Sequence, residues 1–179
     1  MHKASAVVAL IVGAFAVLVV GSYATADSGK KNVSTGPMTG YLEGAPSGPV
    51  SSSATGSFEA TIDDAASEIS FTLTYAGLEA PVLFAHIHFG QRSVNGGVAA
   101  FLCGGGSKPA CPGPQSGTVT GTIVPTDVIG PVGQGIAAGE FDELVAAMRA
   151  GRAYANVHST KFPGGEVRGQ INDDNQRDD

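Results

Sequence analysis

Apolar and polar residues alternate in short runs along most of the chain. One clear run has Ile69, Phe71, Leu73 and Tyr75 at every second position. Successive side chains of a β-strand point to opposite faces, so such runs predict strands with one buried face. Gly, Pro and Ser cluster between the runs, as in tight turns. The predicted strands cover residues 38–42, 54–62, 68–75, 82–89, 98–102, 117–124, 153–159 and 166–171.

One segment, residues 140–151, departs from this alternation. Its apolar residues Phe141, Leu144, Val145 and Met148 recur at helical spacing, and Gly151 follows as a C-terminal cap. The pattern predicts a short amphipathic helix packed across a sheet. The predicted fold class is therefore mostly β: an antiparallel, Greek-key-like β-sandwich with one short α-helix.

The N-terminal residues 1–26 have the pattern of an export signal. A weakly basic start precedes a nearly unbroken apolar run over residues 4–20, and small residues at 24–26 suit a signal peptidase. We expect cleavage after Ala26 and a secreted or cell-envelope protein. An uncleaved N-terminal anchor is the alternative, although the run is slightly short for a membrane span.

The remaining chain divides into three parts by composition. Residues 27–37 are polar and aperiodic, which predicts a flexible leader. Residues 38–172 form one predicted β domain. The charged residues 173–179 are expected to be a disordered acidic tail.

The charge balance argues against two kinds of partner. The net charge of −6 becomes −7 when the signal segment leaves with Lys3. Nucleic acid and anionic membranes both attract basic surfaces. We therefore expect no nucleic acid partner, no membrane contact beyond the signal segment, and a monomer whose charge maintains solubility.

Two cysteines, Cys103 and Cys111, flank a glycine-rich loop. In an oxidising compartment such a pair predicts a disulfide that closes the loop. A reactive role is the alternative, but redox cysteines typically occur as Cys-x-x-Cys at a helix start.

The candidate chemistry lies on the polar faces of three predicted strands. His86 and His88 share one face of their strand, and His158 shares a face of a later strand with Asn156. No other histidine follows the signal segment. Three imidazoles from two strands suit copper or zinc. Alternatively, these side chains form a structural polar cluster with satisfied hydrogen bonds, since antiparallel sheets normally turn polar residues outward.

The last predicted strand places Glu166, Arg168 and Gln170 on its polar face. With Asn156, these residues are candidates for supporting the histidines or binding an anion. Arg168 has two interpretations: it pairs with Glu166 or an aspartate to fix the strand, or it lies beside the histidines and attracts small anions.

Several enzyme classes lack their motifs. The sequence has no Gly-x-Ser-x-Gly nucleophile elbow, no phosphate-binding loop and no His-Glu-x-x-His. No catalytic residues are assigned.

Four runs carry a family resemblance: AHIHFG at 85–90, NGGV at 95–98, AYANVHS at 153–159 and FPGGEVRGQI at 162–171. Together they resemble the CHRD (chordin-type) domain. The opening YLEG at 41–44 also fits, and the resemblance covers residues 38–172. It implies an extracellular β-sandwich domain and no assigned activity.

A weaker similarity is to copper–zinc superoxide dismutase, in the order of the His-x-His strand, the later Val-His and the C-terminal arginine. By that resemblance His86, His88 and His158 would be copper ligands and Arg168 an anion guide. No histidine remains to bridge copper to zinc, so the chain departs from the enzyme.

Three hypotheses for the function follow. The first is a secreted, non-enzymatic CHRD-type module for an unknown extracellular protein or ligand, with copper or zinc as its candidate cofactor. The second is a mononuclear copper enzyme acting on superoxide or peroxide. The third is a structural envelope or matrix protein without metal.

Overall fold

The computed structural model describes residues 30–43 and 48–172. The expected signal segment (1–26) and acidic tail (173–179) lie outside the described residues. The strands are β1 Lys30–Ser34, β2 Thr55–Asp63, β3 Glu68–Ala76, β4 Val82–Phe89, β5 Gly97–Cys103, β6 Gly117–Ile123, β7 Ala153–Ser159 and β8 Val167–Ile171, and the α-helix is α1 Phe141–Arg149. Short 3-10 turns cover Gly40–Leu42, Pro125–Asp127 and Val132–Gln134.

The strands form two four-stranded antiparallel sheets. Sheet A has the order β1-β2-β3-β6, and sheet B has the order β5-β4-β7-β8. The chain changes sheets between β3 and β4, between β5 and β6, and between β6 and β7. One hydrophobic core contains the inward side chains of both sheets. The prediction of an antiparallel β-sandwich is confirmed.

The inward faces follow the alternation read from the sequence. In β2 and β3, Phe58 pairs with Leu73 and Ile62 pairs with Ile69, and all four side chains are fully buried. Burial of such apolar side chains is the main favourable term in folding, at roughly 25 cal/mol per Å² of apolar surface.

Helix α1 lies within the predicted segment 140–151. It buries the apolar positions expected from the spacing, including Leu144 and Met148. Acidic residues lie in its first turn and Arg149 in its last, as the helix dipole favours. Gly151 follows with φ 67°, a conformation that glycine adopts without steric cost. The helix prediction is confirmed.

The structure differs from the sequence prediction near the start of the domain. Strand β1 lies inside residues 27–37, where we expected a flexible leader, and it pairs along β2 with Val33 buried. Main-chain pairing at a sheet edge requires no apolar alternation, so the polar composition gave no sign of it. Residues 38–42 make isolated bridges from Met38 and Thr39 and then a 3-10 turn, not a strand.

A second difference concerns Leu83, which the alternation placed on the core face of β4. Its exposed fraction is 36%. The pairing between β4 and β7 is irregular between Val82 and Phe84, and this irregularity turns Leu83 outward.

Cys103 and Cys111 are bonded to each other, with their Cα atoms 4.9 Å apart. The loop between them includes Gly104 and Gly106, both with positive φ. The disulfide thus fixes the connection that leaves β5 for sheet A. Across the residues that the structure describes, no helix has the length and apolar character needed to cross a membrane.

Candidate metal centre

The three histidines meet on the outer face of sheet B, because β4 and β7 are neighbours in that sheet. His86 pairs with Asn156, and His158 pairs with Phe84. His158 is therefore diagonal to His86, at a distance that long side chains can bridge. All three imidazoles are buried, and their candidate ligand atoms lie within 4.8 Å of one another. The sequence placed these residues on one face; strand order brings them together.

Hydrogen bonds to carbonyl oxygens orient two of the rings. His88 Nδ1 lies 3.0 Å from the oxygen of Gly96, and His158 Nδ1 lies 3.0 Å from the oxygen of Pro163. A carbonyl oxygen only accepts, so both Nδ1 atoms donate. In the neutral rings, the Nε2 atoms of His88 and His158 therefore carry no hydrogen and present lone pairs, as metal ligands require.

His86 and His158 contact each other directly, with 3.2 Å between His86 Nδ1 and His158 Nε2. Because His158 Nε2 can only accept, His86 Nδ1 donates in this pair. A metal ion bound by both nitrogens would replace the hydrogen that lies between them. His86 would then carry its hydrogen on Nε2.

His88 has an unsatisfied ring nitrogen within the cluster. Its Nε2 atom is buried and has no hydrogen-bond partner in the protein. An unsatisfied buried polar atom costs about 1–3 kcal/mol. Native structures keep few such atoms. The lone pair on His88 Nε2 lies beside two other imidazoles, and a metal ion bound there would satisfy it. The residues therefore fit a bound metal.

Burial keeps the three imidazoles neutral. Desolvation, followed by the charges of His158 and His88, lowers the pKa of His86 to about 3. Desolvation is also the main cause that lowers the pKa of His88 to about 4 and that of His158 to about 4. At neutral pH a metal ion would meet unprotonated ligands and would not have to displace ring protons from charged imidazolium groups.

Aromatic side chains surround the cluster. The Phe84 ring lies 4.8 Å from the rings of both His86 and His158, and the Phe101 ring lies 4.4 Å from that of His86. Tyr154 stacks on His88 with 4.7 Å between ring centroids and 4° between planes. Tyr154 shares its strand face with Asn156 and His158, so strict alternation could have identified it; the sequence analysis overlooked it.

Arg168 is a structural residue of this face. Its guanidinium carbon lies 3.4 Å from the Tyr154 ring centroid. It donates to the main-chain oxygens of Gln91 and Val94, at 2.8 and 2.9 Å, and to the side chain of Gln170. It thus holds the β4–β5 loop on the sheet. The two sequence interpretations were pairing with Glu166 or an aspartate to fix the strand and attracting small anions, and neither anticipated these carbonyl partners.

The other predicted support residues also fasten segments of chain to the face. Gln170 donates to the oxygens of Gly90 and Gly151. Asn156 donates to the Glu43 carboxylate and to the Val167 oxygen. Glu166 Oε1 accepts from Ser52 Oγ and from the main-chain nitrogen of Glu79, each at 2.8 Å. None of these three is among the residues that could hold the metal.

Glu43 is a buried acid that the sequence analysis missed. Desolvation raises its pKa to about 7, although its hydrogen bond with Asn156 and the charge of Arg168 act in the opposite direction. It lies just after the 3-10 turn that contacts β8, in a run with no periodicity to mark it. Only the folded chain places this carboxyl group beside Asn156.

The family comparison matches residues 38–171 to the CHRD domain. The chain belongs to the CHRD domain family. The matched part of this CHRD protein contains all three histidines and every residue that supports them, from Glu43 to Gln170, but not β1. Neither the curated proteins nor the solved structures that were compared contain a match to the chain.

Proposed function

We propose that this CHRD protein is an exported binding module that holds one copper or zinc ion on His86, His88 and His158. The unpartnered Nε2 atom of buried His88, beside two further imidazoles with ligand atoms within 4.8 Å, is the observation that carries the proposal. In a metal site with bonds of ~2.0 Å, adjacent ligand atoms are about 3.3 Å apart. His86 Nδ1 and His158 Nε2, 3.2 Å apart, already have about this separation, so binding would mainly require an adjustment of His88.

The purely structural hypothesis explains one part of the polar face and not the other. Arg168, Gln170 and Asn156 all have hydrogen-bond partners that tie down loops. His88 Nε2 has none. A cluster selected only for stability gains nothing from an orphaned nitrogen, since an apolar ring of similar shape would avoid its desolvation cost.

The CHRD family and the Cys103–Cys111 disulfide support an extracytoplasmic location. We propose that residues 1–26 direct export.

The enzyme hypothesis is copper-dependent turnover of superoxide or peroxide, with Arg168 attracting the anion. The guanidinium of Arg168 donates to loop carbonyl oxygens instead, so this residue gives the enzyme hypothesis no support. Binding of an extracellular protein or ligand remains the proposed role of the module as a whole.

Metal analysis tests the proposal. The secreted protein, produced without a histidine tag, is dialysed against copper or zinc and its metal content is measured. We expect close to one ion per chain, lost in the His86→Ala/His88→Ala/His158→Ala variant and retained in Thr120→Val on the opposite sheet. Circular dichroism checks that the triple variant folds, and His88→Gln serves as a milder second variant. Absence of metal from the unaltered protein would refute the proposed site.

A further inference from the structure

We propose that the three-histidine site selects monovalent copper, Cu(I), over Zn(II) and Cu(II). This inference rests on the proposed function, since it specifies the ion that the cluster holds. It follows from three properties of the site: the charge of its donors, the charge of its surroundings, and the scarcity of partners for a fourth ligand.

The donors are three neutral nitrogens. Within residues 30–43 and 48–172, no carboxylate or thiolate joins the histidines in a metal-binding group. The described cysteines are bonded to each other. The two buried carboxyl groups of the described residues have partners of their own: Glu43 accepts from Asn156, and Glu166 Oε1 accepts from Ser52 and Glu79, while Glu166 Oε2 has no hydrogen-bond partner. The ion's charge would therefore not be balanced by its ligands.

The surroundings add positive charge. β7 lies between β4 and β8, so the Tyr154 ring separates His88 on one side from Arg168 on the other. The hydrogen bonds of Arg168 described above go to neutral oxygens. The carboxyl group in electrostatic range of Arg168 is that of Glu43, whose pKa burial raises to about 7 and which hydrogen-bonds to Asn156. The desolvation cost of an ion grows with the square of its charge, so a divalent ion loses about four times as much hydration free energy as a monovalent ion of equal size.

A divalent ion also lacks support for a fourth ligand. Zn(II) in three-histidine sites takes a water or hydroxide as its fourth ligand. A buried water needs about two to four polar partners. Phe84 and Phe101 present rings to His86 instead, and the Tyr154 hydroxyl, which accepts a hydrogen bond from the Gly96 nitrogen, retains its own hydrogen as one possible partner for such a water. Cu(I), a closed-shell ion of low charge, is commonly three-coordinate and needs no fourth ligand.

Selective binding of Cu(I) would give the protein a defined task outside the cytoplasm. Tighter binding of Cu(I) than of Cu(II) raises the reduction potential of the bound couple. The site would then keep copper in its reduced form and shield it by burial, which suits storage or transfer of Cu(I) between proteins more than repeated redox turnover.

The experiment compares three ions on the secreted protein without a histidine tag. Cu(I) affinity is measured anaerobically by competition with bathocuproine disulfonate, Zn(II) affinity by calorimetry, and Cu(II) binding by electron paramagnetic resonance. We expect Cu(I) to bind at least about 100-fold more tightly than Zn(II), a difference of about 2.7 kcal/mol, and Cu(II) also to bind more weakly. Equal or tighter binding of either divalent ion would overturn the selectivity while leaving the proposed metal site intact. Absence of binding by all three ions would overturn both.

A variant pair isolates the charge argument. Phe84 contacts the rings of both His86 and His158 and is half-buried, so a polar side chain there can reach the cluster or solvent. Phe84→Glu adds a carboxylate, and Phe84→Gln is the neutral control. We expect the Phe84→Glu variant to bind Zn(II) at least about tenfold more tightly than the Phe84→Gln variant, a difference of about 1.4 kcal/mol. We also expect Phe84→Glu to reduce the preference for Cu(I). Equal Zn(II) affinities in the two folded variants would contradict the proposal.

Discussion

The outer faces of the two sheets follow the same alternation and have different environments. On sheet A the outward residues are hydroxyl-rich and open to solvent. They pair in rows across β3 and β6, such as Thr72 with Thr120 and Thr74 with Thr118. On sheet B every residue of β7 and β8 is buried, including Asn156 and Arg168. Alternation therefore assigns a residue to a face, but it does not say whether that face is exposed.

Chain segments that cover sheet B cause the difference. The β4–β5 loop is held by Arg168 and Gln170, and the 3-10 turn near Glu43 contacts β8. Once covered, each polar side chain needs a partner, and the main-chain groups of the covering segments supply it. Among the buried side-chain atoms that the structure describes, His88 Nε2, Glu166 Oε2 and Arg149 Nε lack a partner, and of these His88 Nε2 lies beside two further imidazoles. An unsatisfied ring nitrogen therefore distinguishes the proposed site when it lies beside other potential ligands, and polar residues alone do not distinguish it.

The largest expected effect comes from Arg168→Met, which keeps an apolar stem against Tyr154 but removes the donors to the loop. The carbonyl oxygens of Gln91 and Val94 would lose their partners. We expect the free energy of unfolding to fall by about 3–5 kcal/mol, because each of these acceptors left without a donor costs about 1–3 kcal/mol. Urea denaturation measures it. A loss below about 1 kcal/mol would show that the loop does not depend on this contact.

Glu43→Gln tests whether the buried Glu43 carboxyl group makes the free energy of unfolding depend on pH. The folded pKa of about 7 exceeds the ordinary value of 4.5, so the folded state binds a proton more tightly than the unfolded state. Stability from this group is present below about pH 4.5 and is lost as pH rises to about 7, by about 3 kcal/mol at most.

The measurement for Glu43 is the free energy of unfolding between pH 5 and 8, compared with that of the Gln variant. Any contribution of the histidines occurs in both proteins, so the difference reports Glu43. We expect the unaltered protein to lose stability relative to the variant as pH rises through this range. A constant difference would mean that the Glu43 pKa is not raised in the folded state.

Metal binding should stabilise only the unaltered site. At a free ion concentration of 100 times Kd, a ligand of the folded state adds about 2.7 kcal/mol to the free energy of unfolding. We expect added metal to raise the midpoint temperature of thermal unfolding for the unaltered protein. We expect no such rise for His88→Gln, which lacks the ring nitrogen. An equal shift in both proteins would place the bound ion elsewhere.

The smallest effect is expected on sheet A. Thr120 is exposed on edge strand β6, and Thr120→Val keeps the β-branched shape while removing the hydroxyl. We expect a change within about 0.5 kcal/mol. The matched change on sheet B, Asn156→Leu, leaves the Val167 oxygen without its side-chain donor and should cost about 1–3 kcal/mol. Similar costs at both positions would remove the contrast between the two faces.

Much of the fold could be predicted from the sequence because its signals are local. Period-two alternation identified β2 to β8 to within a residue or two, and the helical spacing of Leu144 and Met148 identified α1. Strand β1 could not be found this way, because it is fixed by main-chain pairing with β2. The exposure of Leu83 depends on an irregular pairing that no single strand encodes.

The order of residues along each strand is enough to assign residue types to strand faces, including His86 with His88 and His158 with Asn156. That follows from backbone geometry, which acts between neighbours in the chain. The pairing of β7 with β4, the cover of the face by the β4–β5 loop, and the positions of Glu43 and Tyr154 on that face are visible only in the folded chain. Those contacts join positions far apart in the sequence, and burial, which makes His88 Nε2 an orphan, exists only after the chain has closed over the sheet.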